Sequence, residues 1–327
     1  MKNKYNVLII GAGKIAAFYD NPNSSSVITH AHAFTRNENF NLVGFFDINT
    51  DKAIYASEIW GGKCFIALED AFKENTIDVV TIAVPDEYHF DVLKEILNYE
   101  PKLILLEKPI TKTFTEAQDI ENILLKKNTK ILVNYSRRFV EKYELIKEEV
   151  QTEVYGSFVT GTCYYGKGLI HNGTHAIDLI RYVLGDINKA YVKEVVFDHY
   201  IDDPSVSLEL TLKTNKTINL QAIDCRNYTI FGMDLLFEKG RIRVEDSDYI
   251  KIEKFSVKEN EYLNGYRNLV KCYDYYNESD TAMENAVLNI YNHLRQGERL
   301  KCTFEDGYKA LEVCLNLELN NYSDKRE

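Results

Sequence analysis

Residues 5–10, YNVLII, form one short apolar run, and the chain goes straight from it into Gly11-Ala12-Gly13-Lys14-Ile15-Ala16. A run this apolar cannot alternate between a buried and a wet face, so it is buried on both sides. Ending such a strand in G-x-G-x-x-A and opening a helix behind it fixes the start of a βαβ unit. The same alternation continues. Strands are predicted at 41–47, 63–67, 77–84, 102–107 and 130–135, with helices at 11–20, 51–61, 68–75, 87–99 and 115–128. Apolar strands separated by helices give a parallel sheet covered on both faces, and right-handed crossovers make it doubly wound.

After residue 136 the pattern changes. Residues 140–154 read as a helix, and long alternating segments follow from Gly156: SFVTGTCYYG, KAYVKEVVFDHY, SVSLELTLK, TINLQAID, TIFGMDLLFEK, RIRVED and YIKIEKF. TLKTNKTINL reads as a hairpin around Thr214-Asn215. These are the marks of a large, mostly antiparallel open sheet. One helix, about 171–184, interrupts it, and helices are predicted again at 266–276, 280–296 and 305–321. The fold class is therefore α/β. An N-terminal Rossmann domain (1–136) is followed by a C-terminal α/β domain (137–327) for substrate binding and oligomerisation.

Composition narrows the function. With 327 residues, 50 acids and 39 bases, the net charge is −11, which argues against nucleic acid as a partner because phosphate needs neutralising. The six cysteines (64, 163, 225, 272, 302 and 314) form no C-x-x-C pair, so a cysteine zinc site is not expected. No run approaches the roughly 20 apolar residues of a membrane span. The expectation is a cytoplasmic protein with reduced thiols that does not bind a membrane.

In the glycine turn, Gly11 makes the tight bend and Gly13 lets backbone approach a pyrophosphate. Ala16 allows close helix–strand packing. Lys14 and Ile15 follow at the helix start, whose free N–H groups suit an anion. Asp47 ends the second strand. A carboxylate there accepts hydrogen bonds from ribose hydroxyls and repels a 2′-phosphate, favouring NAD(H) over NADP(H); the other reading is a cap for the 51–61 helix. Asp47 lies 36 residues after Gly11, where about 20 is usual. The excess falls in DNPNSSSVITH, 20–30, a loop inside the first helix, open to reading as a lid or as a surface insertion.

Glu107-Lys108-Pro109 closes the fifth strand, and the carboxyl ends of parallel strands line the ligand crevice. The charged pair faces a cofactor there or forms a salt bridge at the strand end. Taken in order, the glycine turn, TIAVPDEYH (81–89), LLEKP (105–109), VNYSRRF (133–139) and GTHAIDLIRYVLG (173–185) resemble the glucose–fructose oxidoreductase / inositol dehydrogenase / rhizopine-catabolism (Gfo/Idh/MocA) family. The resemblance spans the N-terminal domain and the first third of the second. It implies a sugar or polyol oxidoreductase using NAD(P) and assembling as a homodimer or homotetramer. It makes Lys108 the catalytic lysine, shaped by Glu107 and Pro109. It puts Pro85 and His89 beside the nicotinamide ribose and makes His175 a general acid/base. The chemistry agrees: a carbinol loses hydride only as its proton leaves. Imidazole suits the proton and an ammonium suits developing charge on oxygen.

One departure stands out. Many relatives read D-x-G-x-H, whereas this chain reads His171-Asn172-Gly173-Thr174-His175. The i, i+4 histidines have the spacing of a zinc helix, but Asn172 replaces the glutamate that would be the base, and no metal is expected. Packing roles for both histidines are a further reading. A protonated His171 would lower the pKa of His175, leaving Lys108 with more of the proton transfer. His171 and Asn172 are candidate substrate contacts, as are Arg138 after the sixth strand and Tyr165 before the histidine helix; Arg138 reads equally as a domain-interface salt bridge, and Asp178 reads as structural. The expectation is an NAD(H)-dependent oxidoreductase acting on a sugar, with a nucleotide-linked sugar as the leading substrate class. The alternative is a non-catalytic regulator binding dinucleotide and sugar.

Overall fold

The computed structural model describes residues 4–246, 249–277 and 281–317. They fall into two compact units, Met1–Val140 with Asp280–Tyr308, and Glu141–Ser279 with Lys309–Glu327.

The first unit is built on six parallel strands: β1 (Tyr5–Ile10), β2 (Phe40–Phe46), β3 (Lys63–Phe65), β4 (Val79–Ile82), β5 (Leu103–Leu106) and β6 (Lys130–Val133). Their order is β3-β2-β1-β4-β5-β6, all in parallel register. Between them run α1 (His30–Arg36), α2 (Thr50–Trp60), α3 (Leu68–Glu74), α4 (His89–Ile96) and α5 (Phe114–Leu124). Val7, Leu8, Ile9 and Ile10 are buried, as a central strand covered on both faces requires. Ala12, Ala16, Ala17, Ala31, Ala53 and Ala56 let helices close on β1 and β2 around Trp60. The strand order reverses between β1 and β4, which opens a crevice at their carboxyl ends.

The first helix departs from expectation. Residues 11–20 do not form one continuous helix: a single wide turn, Lys14–Phe18, closes with Tyr19 N–H donating to Lys14 O. The chain then loops out and re-enters helix at α1. Asp20 ties the loop's base. Its carboxylate accepts from Ile28 N–H (2.6 Å), Thr29 N–H (3.2 Å), Thr29 Oγ1 (2.5 Å) and His32 Nδ1 (2.9 Å). These donors outweigh the burial that would raise it and hold the Asp20 carboxyl below its ordinary range.

The second unit starts with α6 (Glu141–Gln151), β7 (Phe158–Tyr165) and α7 (Thr174–Leu184), followed by β8 (Ile187–Val196) and β9 (Ser205–Leu212). Next come β10 (Thr217–Ala222), β11 (Gly232–Phe237), β12 (Gly240–Asp246), β13 (Ile250–Glu259) and β14 (Arg267–Asn277). They make one eight-stranded sheet in the order β14-β13-β12-β11-β7-β10-β9-β8. The β7–β10 pair is parallel and the other pairs are antiparallel. The β9–β10 hairpin turns where Thr214-Asn215 predicted, with Asn215 at φ +62°.

The predicted helix at 266–276 is instead strand β14, paired with β13. Leu269, Val270, Tyr273 and Tyr276 have helical spacing, but each is more than a third exposed. No buried stripe rewards a helix there, whereas β13 offers a free edge to a tyrosine-rich segment.

The chain then returns to the first unit with α8 (Ala282–Gln296), and α9 (Phe304–Leu315) follows. Residues 280 and 318–321 of the two predicted C-terminal helices lie outside the described residues. A single cut at 136 leaves residues 280–308 with the second domain, whereas their contacts group them with the first unit. The reasons are local: α8 packs on α1, Asn285 Nδ2 donates to Phe139 O (2.8 Å), and Val133 N–H donates to Cys302 O (3.0 Å).

Candidate active site

The candidate residues fall into two sets, one in each unit. The first occupies the carboxyl ends of β1, β2, β4 and β5, which parallel pairing puts on one edge of the sheet. Gly11 has φ +90°, and a Cβ there would stand 2.6 Å from Ala83 O, so only glycine fits. Gly13 is different. Its φ is −91° and no atom lies within 4 Å of where its Cβ would be. Packing does not demand glycine at 13, and the open space beside it would admit a ligand's close approach. Lys14 is exposed and Ile15 half-buried beside it.

Asp47 closes this turn from β2. Its Oδ2 accepts Ala12 N–H (2.6 Å) and its Oδ1 accepts Asn49 N–H (2.8 Å). Each carboxylate oxygen keeps a further lone pair for a ribose hydroxyl. The glycine turn, the open space at Gly13 and the acid at the end of β2 fit a dinucleotide.

The turns after β4 and β5 are joined by His89. Its ring is fully buried and bridges two carbonyls, Val84 O at Nε2 (3.0 Å) and Pro109 O at Nδ1 (2.6 Å). Both ring nitrogens face protein carbonyls, so His89 acts by fixing the two turns. Pro85, one residue beyond Val84, is exposed.

Glu107 is 9% exposed. Its Oε1 meets His30 Nε2 at 2.8 Å and Asn134 Nδ2 at 2.6 Å, and His30 Nδ1 lies 2.6 Å from Thr81 Oγ1. Burial raises the Glu107 carboxyl, but hydrogen bonds from His30 and Asn134 and the nearby Lys108 charge outweigh it, and the net shift is downward. Lys108 follows, half-buried, and its peptide to Pro109 is cis. His30, Thr81 and Asn134 were missed in the sequence. The one signal was HAHAF, two imidazoles in an otherwise apolar helix start.

Arg138, expected at a substrate anion, turns inward. It is 5% exposed, and its Nη1 donates to Lys301 O (2.9 Å) and pairs with Asp306 (3.2 Å). The strand-end arginine braces the returning segment of its own unit.

The second set surrounds the start of α7. The wide turn Leu169–Gly173 leads into the helix without a break, and Asp203 caps it by accepting Ile170 N–H and His171 N–H, both at 2.8 Å. A Cβ on Gly168 (φ +87°) would collide with that carboxylate. Burial of Asp203 pushes its carboxyl up, and the amides of Ile170, His171 and Leu169 do not offset it. The His171 ring packs edge-on against Tyr200 (5.1 Å), which meets His199 (4.4 Å). His175 is half-buried in the first turn of α7, and Asp178 is buried. Asn172 Nδ2 donates to Gly166 O (2.8 Å) and so fixes the turn itself.

Tyr165 is a correction. It is fully buried, and its hydroxyl donates to Val206 O (2.9 Å) and accepts from Val206 N–H (2.7 Å). Strand alternation sends Tyr165 into the core and Tyr164 to the opposite face. Tyr164 lines a cavity of about 500 Å³ with Tyr228, Arg241 and Arg243. Among the described residues, no group of three His, Cys, Asp or Glu is placed to hold a metal ion.

A doubly wound parallel sheet with a glycine turn at its switch point defines a dinucleotide-binding fold, and the lysine turn stands two strands away. Residues 5–135 match the model of an oxidoreductase family with an NAD-binding Rossmann fold. Over those residues the chain is similar to that family, Gfo/Idh/MocA. An inositol 2-dehydrogenase of Renibacterium salmoninarum is 26% identical over 193 residues, 55% of each chain. An uncharacterized oxidoreductase of Schizosaccharomyces pombe is 30% identical over 97 residues, 30% of this chain and 26% of that one. This chain therefore spans less than two thirds of either relative. Two solved structures share the fold. A UDP-N-acetylglucosamine 3-dehydrogenase from Acidithiobacillus ferrooxidans has a TM-score of 0.74 at 15% identity, covering 95% of each chain. A 3-ketoreductase from Actinomadura kijaniata, in complex with NADP and TDP-benzene, has a TM-score of 0.76 at 14% identity, covering 97% of this chain and 98% of that one.

Proposed function

We propose that this oxidoreductase transfers hydride between a nicotinamide cofactor, NAD(H) in preference to NADP(H), and a secondary alcohol or ketone of a nucleotide-linked sugar. The observation that carries the reading is Lys108, on a turn clamped through Glu107 on one side and Pro109 on the other, on the same sheet edge as the glycine turn. The bound dinucleotide would supply the hydride donor or acceptor. Gly11, Gly13, Lys14 and Ile15 would hold its pyrophosphate, Asp47 its adenosine ribose, and Pro85 would border the nicotinamide ribose. Asp47 supports NAD(H), since a 2′-phosphate beside it would meet a carboxylate.

Lys108 and His175 handle the proton. In the oxidation direction one of them takes the hydroxyl proton as the carbinol carbon gives up hydride, and in reduction it returns that proton to the oxygen. Lys108 as an ammonium also stabilises the developing oxyanion. His171 replaces a carboxylate in this turn, so His175 lacks the neighbour that raises basicity in many relatives, and Lys108 carries the larger share. A UDP-N-acetylglucosamine 3-dehydrogenase among the fold neighbours supports the substrate class.

The test is NADH absorbance against a panel of nucleotide sugars and polyols. Expected are turnover on a nucleotide sugar, a lower KM for NAD(H) than for NADP(H), and loss of turnover in Lys108→Ala. Intact turnover in that variant would sink the mechanism. His171 also supports a second reading, a non-catalytic dinucleotide- and sugar-binding regulator, which predicts tight NAD(H) binding with no turnover on any member of the panel.

A further inference from the structure

We propose that His30 is a positioning residue for Lys108, acting through the Glu107 carboxylate. The proposal rests on the reading that Lys108 takes part in proton transfer.

His30 is fully buried and spans two strands of the sheet. Its Nδ1 reaches Thr81 on β4 (2.6 Å) and its Nε2 reaches Glu107 at the end of β5 (2.8 Å). One proton assignment satisfies every partner. Thr81 Oγ1–H donates to Nδ1, and Nε2–H donates to the carboxylate. Asn134, just past β6, gives Glu107 its second donor (2.6 Å). The backbone is pinned too, with Glu107 N–H donating to Ile82 O (3.0 Å) and Asn134 N–H to Leu106 O (2.8 Å). The other histidine of α1, His32, faces away, bonded to Asp20 (2.9 Å) with its ring 5.2 Å from Trp60.

This wiring does two things to Lys108. It holds the residue preceding the lysine rigid, so that its Nζ starts from a fixed backbone. It also keeps a negative charge one residue away, which favours the ammonium form. A buried carboxylate stripped of His30 would take up a proton or shift, and the charge beside the lysine would go with it. His89 fixes the other flank through Pro109 O, so the lysine sits on one turn held on each flank by a buried imidazole.

The test uses the full-length protein. His30→Leu removes both hydrogen bonds, and His30→Gln restores a donor to Glu107. Expected is a fall in kcat of roughly 10- to 100-fold for His30→Leu, the scale of a small misplacement of a catalytic group. The KM for the dinucleotide should stay within about two-fold, and His30→Gln should recover most of the loss. Adding His30→Leu to Glu107→Gln should cost little beyond Glu107→Gln alone, since both act on one unit. Additive losses, or an unchanged kcat in His30→Leu, would overturn the proposal.

A second measurement does not depend on turnover. The ¹³C signal of reductively methylated Lys108, assigned by Lys108→Arg, should move in the same direction in His30→Leu and Glu107→Gln. If no sugar is turned over but the signal moves, the functional reading fails and the wiring stands. If the signal stays put in variants that still bind NADH, the wiring fails. Should His30→Leu not fold, His30→Phe replaces it in both measurements, because its ring fills the place of the imidazole and makes neither hydrogen bond.

Discussion

Glu107 and Asp203 each hold a histidine from a partly or fully buried position, yet they end on opposite sides of their ordinary range. Burial works against the charge in both. At Glu107 it is overcome by side-chain donors, His30 and Asn134, together with the positive charge of Lys108. At Asp203 the partners are mainly backbone amides at the start of the α7 turn, and burial wins. The difference separates the two candidate regions. The Lys108 turn is built around a stable anion. The turn before α7 is built around a cap whose charge is easily lost.

The largest expected effect tests the functional half of that contrast. Lys108→Ala should lower kcat by about 10²- to 10⁴-fold, the usual contribution of a positioned acid or base, with NAD(H) affinity by fluorescence titration nearly unchanged. An equal loss of binding would mean that the turn holds cofactor instead of moving a proton.

Next come Glu107→Gln and Asp203→Asn, compared by denaturant unfolding across pH. Glu107→Gln should cost about 1.5–3 kcal/mol at pH 7, the range for hydrogen bonds to a charged group. The sign follows from the downward shift. The stability that Glu107 provides is present above the unfolded carboxyl value of 4.5 and is lost as pH falls through its lower folded value. The gap between wild type and Glu107→Gln should therefore narrow only in acid. Asp203 runs the other way. Its stabilising, protonated form is fully present below 3.8 and is lost as pH rises through the raised folded value. Asp203→Asn should therefore compare worst with wild type in acid and improve toward pH 7. Parallel profiles for the two variants would erase the distinction.

Gly168→Ala should cost about 1–3 kcal/mol, the range for a non-glycine residue in a left-handed backbone, with added crowding against Asp203. Combining it with Asp203→Asn should be less than additive, because both disturb one cap. The smallest effect belongs to Tyr200→Leu. The edge-on contact with His171 is worth about 0.5–1.5 kcal/mol, and near-UV circular dichroism with thermal melting would register its loss.

Much of the fold was legible because burial on both faces leaves a near-continuous apolar run that little else explains, and β1, β4 and β5 have that form. The glycine turn was legible for a related reason, since Gly11 is forced by a contact that no side chain survives. The strand at Arg267–Asn277 was misread because its apolar residues keep helical spacing by chance and only the neighbouring edge of β13 decides between the two. Tyr165 was placed wrongly because sequence shows that a strand alternates but not which face is the core. Arg138 was misplaced because its partners, Lys301 and Asp306, lie more than 160 residues away.

By itself, then, the sequence determined what depends on neighbours along the chain: the buried strands, the turns glycine alone can make, and the Glu107-Lys108-Pro109 corner. Only the tertiary structure decided what depends on distant partners. Two histidines of one short helix look alike in HAHAF, but folding gives His32 to Asp20 and His30 to Glu107. A buried polar group must find its partner wherever the chain has carried it, and that address is not written locally.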